Sequence, residues 1–270
     1  MSEDRPSWAP ANIDLEQPNV ARVYDYLLGG AANFKQDREF ADRLLTLLPE
    51  VRRAAQLNRA FLGRAVRFCV ESGIRQFLDL GSGVPTEGNV HEIAQAIAPE
   101  TKVLYVDTDR VAVTHSQAML AGNPRVACLR ADVTDPDAVL GSEQARRLLD
   151  FDQPVAVMLL SVLQFLLDST HPREAVARYV AAMAPGSVLA LSHAVLLSDK
   201  RAAKVGEHYQ SHGQSRGARR SRSEIIQFFD GTELVEPGVV WVPQWRSDFP
   251  DEVDEAPEQS LLYAGVGVKP

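Results

Sequence analysis

Cysteine and long apolar runs are scarce in this chain of 270 residues, and its 28 basic residues are outnumbered by 36 acidic ones. The two cysteines, Cys69 and Cys128, each lie within an apolar run, so they form neither a disulfide framework nor a cysteine-rich metal site, and we expect small core residues. No segment approaches the roughly 18 apolar residues that span a bilayer. The first residues also lack the apolar stretch of a signal sequence. These absences predict a cytoplasmic protein with no membrane partner.

The formal net charge of −8 argues against a general affinity for nucleic acid, which depends on clustered Lys and Arg. The arginine-rich segment 216–222 is a candidate contact for nucleic acid, but such a segment on an acidic protein more often forms a solvated flap. The six histidines show no metalloenzyme pairing such as H-E-x-x-H, so we expect no metal. The composition favours a small-molecule or protein substrate over nucleic acid.

The chain divides into a flexible lead-in at residues 1–18, a helical unit at residues 19–72 and an α/β domain at residues 73–270. In the last region short apolar runs alternate with helical patterns, which is typical of a parallel sheet with crossover helices. Predicted strands lie at residues 76–80, 103–106, 126–130, 155–160 and 188–191, followed by a late pair at 238–242 and 261–268. Predicted helices lie at residues 20–28, 37–48, 51–71, 89–98, 110–120, 142–149 and 173–183.

Glycines at positions 81 and 83 follow the first predicted strand, in the segment FLDLGSGVPT. Because glycine has no Cβ, this turn lets a ligand approach the backbone closely. The third glycine of the dinucleotide pattern G-x-G-x-x-G is missing, since position 86 is Thr86. A pyrophosphate gains from that glycine, whereas S-adenosylmethionine has no phosphate and offers only an amino-acid carboxylate and ammonium. The loop therefore favours S-adenosylmethionine over NAD.

Acidic residues stand at the ends of three successive predicted strands. Asp79 suits the ammonium of such a ligand, although a carboxylate that caps the loop is the alternative. Asp107 lies 24 residues beyond Gly83, a spacing typical of a ribose-binding carboxylate. Asp132 suits an adenine amino group, or is an ordinary loop aspartate. Because the carboxyl ends of parallel strands meet at one edge of a sheet, these residues predict a single ligand crevice.

Nine passages along the chain carry a further signal: ARVYDYLLGG, NRAFLGRAVRF, GIRQFLDLGSGVPTEGNVHE, VLYVDTD, RADVTDP, PVAVMLLSVLQF, APGSVLALSHA, EIIQFFDGTELVEPG and YAGVGVKP. In them the chain resembles a bacterial family of S-adenosylmethionine-dependent methyltransferases long catalogued as a domain of unknown function. The resemblance implies a class I methyltransferase of the α/β, Rossmann-like type. It also implies a mostly parallel seven-stranded sheet with an antiparallel C-terminal hairpin, preceded by an α-helical N-terminal lid.

The resemblance further implies S-adenosyl-L-methionine as the cofactor, enclosed between the crevice and the lid. The implied contacts are Gly81, Ser82 and Gly83 in the loop, Asp107 with Thr108 at the ribose, Asp132 with Val133 at the adenine, and Arg22, Tyr24 and Tyr26 from the lid.

The segment from Ser161 to Gln164 follows the fourth predicted strand, where this fold faces the transferable methyl group. Family members commonly have a histidine at the position of Gln164 and a charged pair at that of Ala31-Ala32. Glutamine cannot act as a general base. His193, after the fifth strand, is the remaining candidate for a base near neutral pH, with a structural imidazole tied to a loop carbonyl as the alternative. A carboxylate or an easily deprotonated phenol as acceptor needs no base.

The expected function is methyl transfer to a small-molecule acceptor, with oxygen favoured as the accepting atom. Two alternatives stay open. A non-catalytic S-adenosylmethionine-binding protein is made more plausible by the loss of histidine at position 164. An NAD(P)-dependent oxidoreductase would share the glycines and Asp107, but it should show the third glycine.

Overall fold

The computed structural model describes residues 17–85, 88–195, 200–212, 217–218, 220–249 and 256–270. Most of the predicted lead-in, and Arg216 and Arg219 of the arginine-rich segment, lie outside the described residues. Among the helices so described, none has the length and apolar character needed to cross a membrane. The helices are α1 (Val20–Leu27), α2 (Lys35–Leu47), α3 (Val51–Glu71), α4 (Val90–Ile97), α5 (Arg110–Met119), α6 (Pro136–Leu140), α7 (Glu143–Leu148), α8 (Pro172–Ala182), α9 (Lys200–Ser211) and α10 (Arg222–Ile226). The strands are β1 (Gln76–Leu80), β2 (Lys102–Asp107), β3 (Val126–Arg130), β4 (Ala156–Leu160), β5 (Val188–Ala194), β6 (Glu233–Leu234), β7 (Val240–Trp241) and β8 (Leu262–Val268).

The strands form one mixed sheet in the order β3-β2-β1-β4-β5-β8-β6, and β7 also pairs with β8. Strands β1 to β5 are parallel to their neighbours, while β8 runs antiparallel to β5, β6 and β7. The parallel strands and the late antiparallel pair confirm the predicted class of fold. The two-residue strand β6 has no counterpart in the prediction, because it is too short to show an alternating pattern.

Alternate residues of each strand point to opposite faces of the sheet. Phe77 and Tyr105 face the side that α3, α4 and α5 cover, whereas Leu78 and Leu104 face the side that α6, α7, α8 and α10 cover. We call the first side the lid face and the second the far face. Since both faces are covered, the central residues of the parallel strands are mostly apolar on both sides, as is usual for such strands.

Helices α1 and α2 pack with the first turns of α3 into an N-terminal helical unit, which we call the lid. Helix α9 packs on the lid through Val205, and the ring of His208 stacks on Phe40 with 4.1 Å between the ring centroids. The lid therefore encloses a small core of its own, made of Val23, Leu27, Phe40, Ala41, Leu44, Ala55 and Val205.

Helix α3 contributes to both cores. Ala55 in its second turn lies in the lid core, while Phe61, Ala65 and Cys69 lie in the core of the lid face. Cys69 and Cys128 are both buried and unpaired, and burial raises the pKa of the Cys128 thiol to about 11. These inert thiols are core residues, as the sequence predicts.

Candidate active site

The carboxyl ends of the strands lie beneath the lid. Ala21 of α1 and Ala32 of the α1–α2 turn pack against Val84 in the glycine loop and against Ala112 of α5. Ala32 is buried in this contact, and the carboxylate of Asp25 accepts a hydrogen bond from its N–H (2.9 Å). A charged side chain at position 32 would have to be buried in the same small apolar contact, which accounts for alanine there in this chain.

The glycine loop after β1 is hydrogen-bonded to the end of β2. The N–H groups of Gly81 and Ser82 both donate to the carbonyl of Val106 (2.7 and 3.1 Å). Gly81 has φ of +73°, and a Cβ built on it would clash with the side chain of Val162 in the turn after β4. Glycine is therefore required there both by the backbone conformation and by the neighbouring turn.

Asp79 lies below this loop, and its side chain is on the lid face of the sheet beside Tyr105. The residue is 6% exposed, and no described residue donates a hydrogen bond to its carboxylate. Burial raises its pKa to about 7, and the nearby Arg59 opposes that rise. Asp79 therefore does not cap the loop as the sequence alternative suggests. A buried carboxylate in this state is stabilised by a cationic ligand.

Asp107 at the end of β2 holds the glycine loop in place. One carboxylate oxygen accepts a hydrogen bond from the N–H of Gly83 (2.7 Å) and the other from the N–H of Asp109 (2.8 Å). Burial raises the pKa of Asp107, and these hydrogen bonds oppose the rise. Thr108 beside it is exposed, and its carbonyl accepts from the guanidinium of Arg130. Each carboxylate oxygen retains a lone pair for a further donor.

Asp132 and Val133 follow β3 at the same edge of the sheet. The carboxylate of Asp132 accepts from the N–H and the hydroxyl of Thr134 (2.8 and 2.7 Å), and the side chain is exposed. Val133 is buried, and its carbonyl accepts from the Tyr179 hydroxyl (3.1 Å). The pair thus combines an accessible acceptor with a fixed apolar wall.

Ser161 follows β4 with the left-handed value φ of +59°, which is unusual for a residue other than glycine. The side-chain N–H₂ of Gln164 donates to the carbonyl of Ser161 (2.8 Å) and to the Ser161 hydroxyl oxygen (2.6 Å). Gln164 is 7% exposed, so its amide serves to hold this turn. Backbone strain of this kind is often found at functional sites.

His193 points to the far face, away from the lid. It is fully buried, with Nδ1 2.8 Å from the carbonyl oxygen of Ala194 and Nε2 3.0 Å from the guanidinium of Arg220. Nδ1 therefore carries the proton and donates, while the Nε2 lone pair accepts from Arg220. Burial, with a smaller contribution from Arg220, lowers the pKa of His193 to about 4. The geometry favours the structural alternative over a general base.

The three lid residues of the prediction take different positions. Arg22 is buried, its Nε 2.9 Å from the carboxylate of Asp37 and its Nη1 3.6 Å from that of Asp109, so it ties the lid to α5. Tyr24 points inward. Tyr26 donates to Asp42 on the outer side of the lid (3.0 Å), away from the crevice.

Tyr24 belongs to a hydrogen-bonded chain that joins the lid to β5. Its hydroxyl donates to the carbonyl of Ala55 (3.1 Å) and accepts from the amide of Asn58 (3.0 Å). The amide oxygen of Asn58 in turn accepts from the Ser192 hydroxyl (2.6 Å). Ser192 is the neighbour of His193 in β5, and it is the one of the two that faces the lid.

Two arginines of this region are missed by sequence reasoning. Arg59 on α3 lines a small cavity with Asp79, Ser82 and Gly83, and its guanidinium donates to Asn89 (3.1 Å). Arg220 is 6% exposed and donates to the carbonyls of Leu163 and Leu166, so the predicted solvated flap is wrong for this residue. An isolated arginine on a helix gives no motif, and a basic segment gives no sign of which arginine is buried.

The fold and the site together define a class of protein. A parallel sheet in the order β3-β2-β1-β4-β5 is extended by an antiparallel strand, a glycine loop follows β1 and an acidic residue ends β2. This is the architecture of a class I, Rossmann-like methyltransferase.

Residues 6–270 match the S-adenosyl methyltransferase family, and the chain belongs to that family. It is therefore an S-adenosylmethionine-dependent methyltransferase, and the oxidoreductase and non-catalytic alternatives are set aside. Its structure is similar to that of a candidate methyltransferase from Thermobifida fusca YX, at 41% identity over 98% of this chain and 99% of that chain, with a TM-score of 0.89. It is also similar to a DUF574 family protein from Streptomyces avermitilis MA-4680, at 36% identity over 95% of this chain and 99% of that chain, with a TM-score of 0.89. None of the curated proteins matches the chain.

Proposed function

We propose that the chain binds S-adenosylmethionine across the ends of β1, β2 and β3 and methylates an oxygen atom of a small-molecule acceptor. The observation that carries the cofactor site is the buried carboxylate of Asp79, which no described residue supplies with a hydrogen bond. Such a group fits the ammonium of the cofactor, because burial of a carboxylate is costly unless a cation or donor compensates. Because its two cysteines are buried and unpaired, as is usual in a reducing compartment, we also propose a cytoplasmic location.

The other residues of the crevice fit the remaining parts of the cofactor. Asp107 retains acceptor capacity for the two ribose hydroxyls, and the backbone at Gly81, Ser82 and Gly83 has no side chain longer than serine in the way. Asp132 offers its exposed carboxylate to the adenine amino group, beside the apolar side chain of Val133. When bound, S-adenosylmethionine supplies a methyl group on a sulfonium that is already activated toward an in-line nucleophile.

The ends of β4 and β5 indicate the kind of acceptor. At the ends of these strands, His193 has both ring nitrogens engaged on the far face, and Gln164 cannot take up a proton. The residues here therefore orient the acceptor and exclude water rather than remove its proton. An acceptor that arrives with a carboxylate or an acidic phenol meets this requirement, which favours methylation on oxygen.

The experiment combines calorimetry with a panel of acceptors. The purified protein should bind S-adenosylhomocysteine with measurable heat and should give no heat with NAD. The protein is incubated with ¹³C-methyl S-adenosylmethionine and a panel of carboxylic acids, phenols and amines. In the ¹³C spectrum, carboxylic acids should give methyl ester signals or phenols should give methoxy signals. Absence of S-adenosylhomocysteine binding would refute the cofactor site, whereas methyl signals from amines alone would refute the oxygen preference.

A further inference from the structure

The turn after β4 is hydrogen-bonded to the residues that precede α10. The N–H of Ala218 donates to the carbonyl of Gln164 (2.6 Å). The guanidinium of Arg220 donates from Nη1 to the carbonyl of Leu163 (2.6 Å) and from Nη2 to the carbonyl of Leu166 (2.8 Å). Three carbonyl groups of this turn are therefore satisfied by one short segment of the chain, and two of the three by a single side chain.

The other contacts of Arg220 fix the plane of its guanidinium. Nε and Nη2 donate to one carboxylate oxygen of Asp168 (3.2 and 2.7 Å), and Nη1 donates to Nε2 of His193 in β5 (3.0 Å). The central carbon of the guanidinium lies 5.2 Å from the centre of the Phe228 ring. Because the guanidinium is planar, always charged and carries five donors, it can serve these partners at once, which the single ammonium of a lysine cannot do.

The same turn also contacts the glycine loop. Val162 occupies the space where a Cβ on Gly81 would lie, and Ser161 keeps its left-handed backbone conformation. A residue other than glycine stays in such a conformation only where its surroundings hold it there. In the proposed function this turn lies beside the transferable methyl group. A displacement of about 1 Å at such a position can slow an aligned transfer by about 100-fold.

We propose that Arg220 is a positioning residue for methyl transfer. It acts through the carbonyls of Leu163 and Leu166, and it fixes the turn that faces the methyl group from the side opposite to the glycine loop. The inference rests on the proposed function and extends it to the basic segment before α10. That segment is then a support of the active site, and its buried arginine is the group that carries the support.

The test uses ¹³C-methyl S-adenosylmethionine at saturating concentration, so that only bound forms are compared. In Arg220→Ala the ¹³C signal of the bound methyl group should move or broaden, and backbone amides in residues 161–167 should exchange with deuterium about 10- to 100-fold faster, as expected for the loss of charge-assisted hydrogen bonds. Arg222→Ala is the matched control. Arg222 begins α10, is exposed and donates only to the carbonyl of Val239 (2.7 Å) among the described residues, and its loss should change neither quantity.

Chemical rescue separates positioning from general stability. Removal of the Arg220 side chain opens the site toward a cavity of about 500 Å³, which Asp168 and Phe228 also line. Guanidinium chloride below denaturing concentrations should therefore restore the methyl signal in Arg220→Ala, whereas sodium chloride at the same ionic strength should not. If Arg220→Ala fails to fold by circular dichroism, Arg220→Lys decides. It keeps the charge beside Asp168 but cannot serve both carbonyls, so it should also displace the methyl signal.

An unchanged methyl signal in Arg220→Ala, even with faster exchange in the turn, would make Arg220 a residue of stability alone and would overturn the proposal. Restoration by sodium chloride, or a wild-type signal in Arg220→Lys, would overturn it as well, since charge alone would then suffice. A wild-type protein that gives no signal of bound methyl would instead refute the cofactor site itself.

Discussion

Successive residues of β5 point to opposite faces of the sheet, and this alternation separates Ser192 from His193. Ser192 bonds to Asn58 on the lid face, whereas His193 bonds to Arg220 on the far face. The sequence shows that both residues lie near the mouth of the crevice. It does not show which of them points inward, because the register of β5 against its neighbours decides that.

His193→Ala should lower stability without removing a catalytic base. Loss of the imidazole leaves a cavity and takes one acceptor from Arg220, so we expect the free energy of unfolding to fall by about 1–3 kcal/mol. The pH dependence of methyl transfer should keep its shape, as measured from pH 6 to 9 with any acceptor that turns over. His193→Gln places an amide near the Nε2 position and should recover part of the stability. A loss of turnover in the variant that is largest at the pH values where the wild-type imidazole is neutral would restore His193 as the base.

Asp107→Ala should weaken binding of S-adenosylhomocysteine by about 1–3 kcal/mol, because the ribose hydroxyls lose their acceptor. Calorimetry measures the affinity, and a thermal melt shows whether the loop anchored through Gly83 still folds. Asp152→Ala is a suitable control, since Asp152 is an exposed residue before β4 at the opposite edge of the sheet. Unchanged affinity in Asp107→Ala would refute the ribose assignment.

At the scale of the element, the glycine loop packs closely against the turn after β4. Gly81 leaves room for the side chain of Val162, and the next residue back, Ser161, has the left-handed backbone conformation. The two loops that flank the expected position of the reactive methyl group are therefore in contact. A change in one should move the other.

Gly81→Ala tests this contact, and Gly29→Ala provides the matched control. Both glycines have positive φ, so each substitution carries the backbone penalty of roughly 1–2 kcal/mol, but a Cβ at Gly29 meets nothing within 4 Å. Gly81→Ala should therefore cost more stability than Gly29→Ala, and it alone should reduce binding of S-adenosylhomocysteine. Chemical denaturation and calorimetry give the two quantities. Equal costs and equal affinities would mean that the two loops move independently.

The helices and parallel strands could be predicted from the sequence because their apolar periodicity is long and regular. The first residue of α2 is harder to predict. The sequence suggests a start at Asp37, but Asp37 occupies the third position of the helix, where its carboxylate accepts a hydrogen bond from the N–H of Phe34 (2.8 Å). Within the site, Asp79 and Asp107 could be singled out because they adjoin a glycine loop or end a strand. Arg59 and Asn58 could not, since their roles arise only when α3 packs across the sheet.

At the scale of the whole molecule, two buried ionisable groups respond to pH in opposite senses. The pKa of Asp79 is raised from 3.8 to about 7, so its contribution to the free energy of unfolding is full at low pH and is lost as pH rises toward 7. The pKa of His193 is lowered from 6.5 to about 4, so its contribution is lost as pH falls over that interval. The two effects partly cancel in the unliganded protein.

Cofactor binding should reveal the Asp79 effect separately. If the ammonium binds the ionised carboxylate, affinity for S-adenosylhomocysteine should decline by up to about tenfold per pH unit below 7 and level off above it. Calorimetry between pH 5.5 and 8 measures the profile. Asp79→Asn should bind more weakly at pH 8 and should lose most of the slope. A flat profile in the wild-type protein would contradict an ionic contact at Asp79.

Helix α3 also limits how a ligand can enter. It is a single helix of 21 residues whose C-terminal half is buried against the sheet, so it cannot swing outward as a rigid rod without opening the main core. We therefore expect any movement that admits a ligand to occur in α1 and α2, about the segments 28–34 and 48–50, rather than in α3. The wall of the crevice that carries Arg59 should then stay in place while the roof formed by α1 and α2 hinges.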